Sequence, residues 1–183
     1  QQQYVKKNQA TRFANLGKCG FNDSSKVKFV EHHLTHASTA YYGYGNFADD
    51  VLVLTNDGAG DELCATVSIG SKGKINRIAS VSHKHSVGTL YAYFTFLTGM
   101  VPLEHEYKIM GMAPYAGKGG SKKIADELRS MFSFSEDGLT WEFNRGSSVM
   151  EAAPVWKEFM HLKRFDYLMG GLQMFIEEFM VQW

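Results

Sequence analysis

Side chains able to do chemistry are concentrated in Glu31-His32-His33-Leu34-Thr35-His36, where three histidines fall within five positions. On a helix, residues four apart share a face, so His32 and His36 point the same way. Two imidazoles so placed can grip one metal ion. The order His-His-Leu-Thr-His lacks the glutamate of the zinc-protease pattern His-Glu-x-x-His, which disfavours a metalloprotease. Spacing alone leaves two readings open: a ligand pair, or a polar helix face. Two imidazoles joined by carboxylates suit Fe(II) or a similar divalent ion.

A second cluster is Asp57-Gly58-Ala59-Gly60-Asp61. It reads either as a plain strand-ending turn or as a binding turn. In the second case Gly58 and Gly60 bring backbone N–H groups close to a phosphate or carbonyl oxygen. Asp57, at the end of a buried strand, offers a carboxylate to a metal or substrate. A third cluster runs from Glu104 to Tyr115 and mixes charge with Gly, Pro and Tyr. It is either a solvated turn entering a helix or a pocket rim of Glu106, Lys108 and Tyr115, where Lys108 holds an anionic group. His83 and His85 read as surface or supporting residues.

These clusters need elements to hold them. Residues 4–16 predict a short helix ended by Gly17 and Gly20, and residues 26–30 predict a strand leading into the histidine-rich helix. That helix runs to Gly43 or Gly45. Residues 50–55 predict a strand buried on both faces that ends in the acidic glycine turn. Two further strands, 63–70 and 74–81, form a hairpin about Ser71-Lys72-Gly73. Helical spacing follows over 88–99 and 104–112, and Ser121 opens another helix. A small hairpin turns at Glu136-Asp137-Gly138. Pro154 opens a helix, and 164–183 is the last, with a core-facing apolar stripe.

The 183 residues suffice for one domain with a full core. Nineteen basic and nineteen acidic residues give zero formal charge, which argues against nucleic acid or an anionic membrane as partner. No apolar run approaches the roughly 18–20 residues of a membrane span, and no signal peptide is visible. Cys19 and Cys64 form no CxxC pair, so a reduced, cytoplasmic chain is the economical reading. The chain starts without Met and stops inside an amphipathic helix, so it reads as a fragment of a longer protein.

Together, His-His-Leu-Thr-His-Ala-Ser-Thr-Ala-Tyr-Tyr, Asp-Gly-Ala-Gly-Asp, Ser86-Val87-Gly88-Thr89-Leu90-Tyr91 and Glu106-Tyr107-Lys108-Ile109-Met110-Gly111-Met112-Ala113-Pro114-Tyr115 resemble the O-carbamoyltransferases of the nodulation and antibiotic-tailoring type. The resemblance is strongest over residues 27–117. Ala116 stands where the family usually has Gly, and Met112 where Leu is usual. The resemblance implies an α/β fold: a partial actin-like ATPase domain over 1–183, with a mixed sheet, a strand-turn-hairpin core and a C-terminal helical part. It implies that a carbamoyl group passes from carbamoyl adenylate, made from carbamoyl phosphate and ATP, to the hydroxyl of a sugar, antibiotic or oligosaccharide. It further implies an adenylate-forming domain in the same polypeptide and an iron-type metal held by His32, His36 and Asp57, with one more carboxylate outside this chain. Within that scheme Gly58 and Gly60 serve the bound group, Lys108 an anion, and His33 either packs or acts as base on the acceptor hydroxyl.

Two competitors remain at this level. A carbamoyl-transferring hydrogenase-maturation protein would show zinc-finger cysteines and an acylphosphatase segment, and neither is present. A non-catalytic metal- or nucleotide-binding module of a larger actin-like protein is the other.

Overall fold

The computed structural model describes residues 2–183. The first helix, α1, spans Gln2–Lys18, and Gly20 follows it with φ +88°. Residues 27–30 form no helix or strand and join no sheet among the described residues. The strand expected at 26–30 is therefore absent, and a 3-10 turn, Ser24–Lys26, occupies its start. Local β-propensity does not decide whether a segment docks on a sheet.

Helix α2 spans His32–Tyr44. Glu31 caps it by accepting from His33 N–H and Leu34 N–H, and Gly45 ends it at φ +74°. Three strands follow: β1 Val51–Gly60, β2 Leu63–Ser71 and β3 Lys74–Ser82, in the order β1-β2-β3. Both pairings are antiparallel, so the mixed sheet of the sequence reading is not found among the described residues. The β2–β3 connection is the expected tight turn, with Lys72 at φ +49° and Gly73 at φ +76°. Such paired left-handed residues match the twist of a two-residue hairpin.

Strand β1 departs from expectation twice. It runs through the glycine-rich segment, with a register shift between Asn56 and Gly60, and turns only at Asp61 and Glu62. It also buries one face rather than two: Val53 and Thr55 are buried, while Leu52 and Leu54 are exposed. The cause is its position at the sheet edge, covered on one side by α2. Ala37 and Tyr41 of α2 pack on Val53, with Val51 and Ile75 around them.

Ala65 and Val81 belong to the second and larger core. That core is built from α3 Gly88–Leu97, α4 Glu106–Met112, α5 Lys118–Arg129, the hairpin β4 Phe132–Phe134 and β5 Trp141–Phe143, α6 Ala153–Met160 and α7 Phe165–Gln182. Leu90, Phe94, Trp141, Trp156, Phe175 and Phe179 are its large buried side chains. Ser121 does not start α5. The helix begins at Lys118, and Ser121 is buried one turn in, its hydroxyl donating to the Gly117 carbonyl at 3.1 Å. Glycines set the α5–α7 approach: a Cβ on Gly171 would lie 2.3 Å from Ile124 Cβ, and one on Gly120 2.4 Å from the Tyr167 ring. Among the described residues, no helix is long and apolar enough to cross a membrane.

Candidate metal centre

Helix α2 and the far end of β1 meet at one cluster. The i, i+4 spacing stacks His32 and His36 along α2, with Nε2 atoms 3.1 Å apart. The register shift in β1 turns the Asp57 carboxylate toward them. Asp57 Oδ2 lies 2.6 Å from His32 Nε2 and 3.4 Å from His36 Nε2. Three potential ligand atoms thus fall within 4.8 Å of one another, from residues 25 positions apart in sequence. Two imidazoles and a carboxylate, partly open to solvent, form a donor set that fits a borderline divalent ion such as Fe(II) or Zn(II).

The surroundings prepare Asp57 as an anion. Burial alone would raise its pKa. The His32 hydrogen bond, the Gly58 N–H and the two imidazoles outweigh burial and hold the carboxyl below its ordinary value. Gly58 N–H donates to Asp57 Oδ1 at 2.6 Å, which leaves Oδ2 for the histidine side. Behind the carboxylate, the Asp57 carbonyl accepts from Ser86 Oγ and the Gly58 carbonyl from Thr89 Oγ1, both at 3.4 Å. Gly88 lets α3 start there, since a Cβ on it would lie 3.2 Å from the Asp57 carbonyl oxygen.

The glycines serve the cluster itself. Gly58 has its N–H engaged by Asp57, and a Cβ on Gly60 would fall 2.1 Å from His32 Cδ2.

His33 faces the sheet. It is fully buried, and its Nδ1 shares a 2.8 Å hydrogen bond with Thr55 Oγ1, which in turn bonds Thr66 Oγ1 at 2.7 Å. Its Nε2 is buried with no hydrogen bond of good geometry among the described residues. Burial depresses the ring's pKa, and the Leu63 backbone and the Glu31 charge oppose that in part. The ring lies beside those of the two ligand histidines, with centroids 5.3 Å from His32 and 6.1 Å from His36.

The Glu104–Tyr115 segment is not brought to the cluster by any hydrogen bond or ion pair among the described residues. Lys108 is exposed on α4, its ammonium 5.8 Å from the Tyr107 ring centroid. Glu106 accepts from Leu103 N–H at 2.7 Å, and Tyr115 is exposed. The neighbouring cavity, about 370 Å³, is lined by Met110, Ala113, Pro114, Lys118, Gln173 and Glu177 among others, not by Glu106, Lys108 or Tyr115. His83 and His85 tie elements together: His83 Nδ1 lies 3.0 Å from the Glu62 carbonyl, and His85 Nδ1 accepts from Phe143 N–H at 3.0 Å.

Several residues of the site carry no obvious signal in sequence. Thr55 and Thr66 read as ordinary strand residues. Glu31 is visible as a helix cap, but its ion pair with Arg77 at 2.5 Å depends on β3. Asp61, quoted above only as part of the acidic turn, accepts from His32 N–H at 2.8 Å.

The carbamoyltransferase N-terminus family matches residues 1–181, and the chain belongs to that family. Among curated relatives, it is 37% identical over 106 residues to the nodulation protein NolNO of Sinorhizobium fredii, covering 58% of this chain and 15% of that protein. It is 34% identical over 86 residues to the nodulation protein NolO of Bradyrhizobium diazoefficiens, covering 47% and 15%. It is also 32% identical over 135 residues to the uncharacterized protein sll1178 of Synechocystis sp., covering 74% and 21%. The chain thus spans about a fifth or less of the length of these relatives.

Proposed function

We propose that this chain supplies the metal-holding part of a site that transfers a carbamoyl group to a hydroxyl. In this reading the donor is carbamoyl adenylate, made from carbamoyl phosphate and ATP by another part of the same polypeptide. The acceptor is a small hydroxylated molecule such as a sugar. The acceptor oxygen bonds to the carbamoyl carbon, the bond from that carbon to the phosphate oxygen breaks to release AMP, and the hydroxyl proton passes to solvent.

The observation that carries the reading is the convergence of His32, His36 and Asp57 in a chain of the carbamoyltransferase family. A divalent ion held by His32, His36 and Asp57 would supply Lewis acidity toward a carbonyl or phosphate oxygen, or toward the acceptor oxygen. The chain's own residues keep that donor set in order. Gly58 N–H orients Asp57, leaving Oδ2 for the cluster. Glu31 and the Glu31–Arg77 pair pin the first turn of α2, and so the spacing of the two imidazoles. The His33–Thr55–Thr66 chain anchors the same turn from beneath.

The test is full-length protein incubated with carbamoyl phosphate, ATP and a panel of hydroxylated sugars, read by mass spectrometry for the gain of one carbamoyl group. Elemental analysis runs in parallel. Carbamoyl product that disappears in His36→Ala, together with the metal, is the expected result. Metal bound by wild type with no carbamoyl product on any acceptor would favour a non-catalytic metal-binding module.

A further inference from the structure

We propose that Asp61 is a positioning residue for the metal ligand His32, and that Asp57, Gly60 and Asp61 form one clamp on that single residue. The inference rests on the metal-site reading above and concerns how the site is kept in shape. Local capping of α2 is already provided by Glu31, which takes the N–H groups of His33 and Leu34. The Thr35 N–H goes to the Glu31 carbonyl. Of the three N–H groups at this helix start that lack a helical partner, the one on His32 is handed to a distant carboxylate, Asp61 Oδ2, at 2.8 Å. Asp61 comes from the same strand end that carries Asp57. Asp57 holds the ring of His32 at 2.6 Å, and Gly60 lies against the ring's Cδ2 edge, where a Cβ would stand 2.1 Å away. On the helix side, Thr35 Oγ1 donates to the His32 carbonyl at 2.5 Å. Ring, main-chain N–H and carbonyl of His32 are each held.

This accounts for the spacing of Asp57-Gly58-Ala59-Gly60-Asp61. The first aspartate addresses the imidazole, the second glycine makes room for it, and the second aspartate addresses the backbone of the same histidine. The turn that carries Asp61 is set by the hairpin: Asp61 and Glu62, at φ +49° and +69°, are the two loop residues between paired Gly60 and Leu63. Outer groups that orient a ligand typically change metal affinity by about 10- to 100-fold when removed.

Cobalt(II) titration of the metal-free full-length protein, read by visible absorption, tests the clamp. Asp61→Ala is expected to weaken Co(II) binding by about 10- to 100-fold and to shift the ligand-field bands. Asp61→Asn keeps an oxygen acceptor for the His32 N–H and is expected to stay within about threefold of wild type. Wild-type affinity and spectrum in Asp61→Ala would overturn the inference, as would Asp61→Asn being as weak as Asp61→Ala. Melting of the metal-free proteins separates a general loss of stability from a loss of affinity. Should Asp61→Ala fail to fold, Gly60→Ala carries the test: its Cβ must displace the His32 ring, so unchanged Co(II) affinity there overturns the clamp. His32→Ala is the control. If wild type binds no Co(II), or His32→Ala binds as wild type does, the metal-site reading falls and the clamp with it. If His32→Ala abolishes binding and Asp61→Ala leaves it intact, only the clamp falls.

Discussion

Thr55 shows how much the centre depends on a side chain that touches none of the three ligands. Its hydroxyl stands between His33 Nδ1 and Thr66 Oγ1 in a buried chain of two hydrogen bonds. Thr55→Val keeps the shape and removes the hydroxyl, leaving His33 Nδ1 without its partner in the interior. A buried polar group stripped of its partner costs about 1–3 kcal/mol, so the denaturant midpoint should fall accordingly. Thr55→Ser, which retains the hydroxyl, should lose much less. The two substitutions having equal effect would contradict the argument. At this scale the His32–His36 pair is legible from sequence, because i, i+4 proximity on a helix is local. Asp57 is legible only as a candidate, since its contact with the pair is made by docking β1 on α2. The burial of His33 is legible only as one of two alternatives. The same imidazole would face solvent on a helix rotated by about 100°, one residue's turn, and only the packing of Ala37 and Tyr41 on Val53 decides the face.

Elements are held together here by glycines and by main-chain bonds to side chains. Gly171→Ala in α7 sets two effects against each other. Helix propensity favours alanine by about 1 kcal/mol. The new Cβ, however, meets Ile124 Cβ at 2.3 Å and the Ser121 carbonyl oxygen at 2.9 Å, and backbone cannot yield cheaply. Overpacking of that kind costs about 1–3 kcal/mol, so the variant should melt lower than wild type. Gly119→Ala in α5 meets nothing within 4 Å and should melt higher. The small hairpin carries a pH dependence. His85 Nδ1 accepts from Phe143 N–H, and its carbonyl accepts from Trp141 Nε1 at 2.8 Å. Burial pushes the ring below its ordinary value of 6.5, Glu142 opposes that, and Lys84 and His83 reinforce it. A folded pKa below the unfolded one means that neutral His85 favours the native state. Its contribution is complete above pH 6.5 and is lost as pH falls through the folded value. Denaturant midpoints measured between about pH 7.5 and about pH 5 should therefore decline more steeply in wild type than in His85→Asn. An equal slope in the two would refute the assignment. Helices and hairpins with strong local signals, such as the Lys72-Gly73 turn and the last helix, are readable in advance. The end of β1 is not: its glycines and aspartates look like a turn, and only pairing of Gly60 with Leu63 keeps the strand going past them.

The whole molecule has two cores of unequal size joined through one sheet, the smaller beneath α2 and the larger among the helices. A ligand that binds only the folded form stabilises by an amount set by mass action, about 2.7 kcal/mol at 100 times its dissociation constant. Divalent metal should therefore raise the melting temperature of wild type and leave His36→Ala unmoved. The contact of Asn56 Nδ2 with Met180 Sδ, 3.1 Å, connects the strand carrying Asp57 to the end of α7. Among the described residues no strand pairs with the outer edge of β1, which has a further consequence, for how the chain behaves in concentrated solution. An open strand edge flanked by exposed Leu52 and Leu54, 59% and 43% accessible, is a template on which a second molecule can add its own strand. The chain expressed by itself should accordingly self-associate as its concentration rises. Leu54→Lys, which places a charge on that edge, should restore a monomeric sedimentation profile, and association unchanged by the lysine would locate the sticky surface elsewhere.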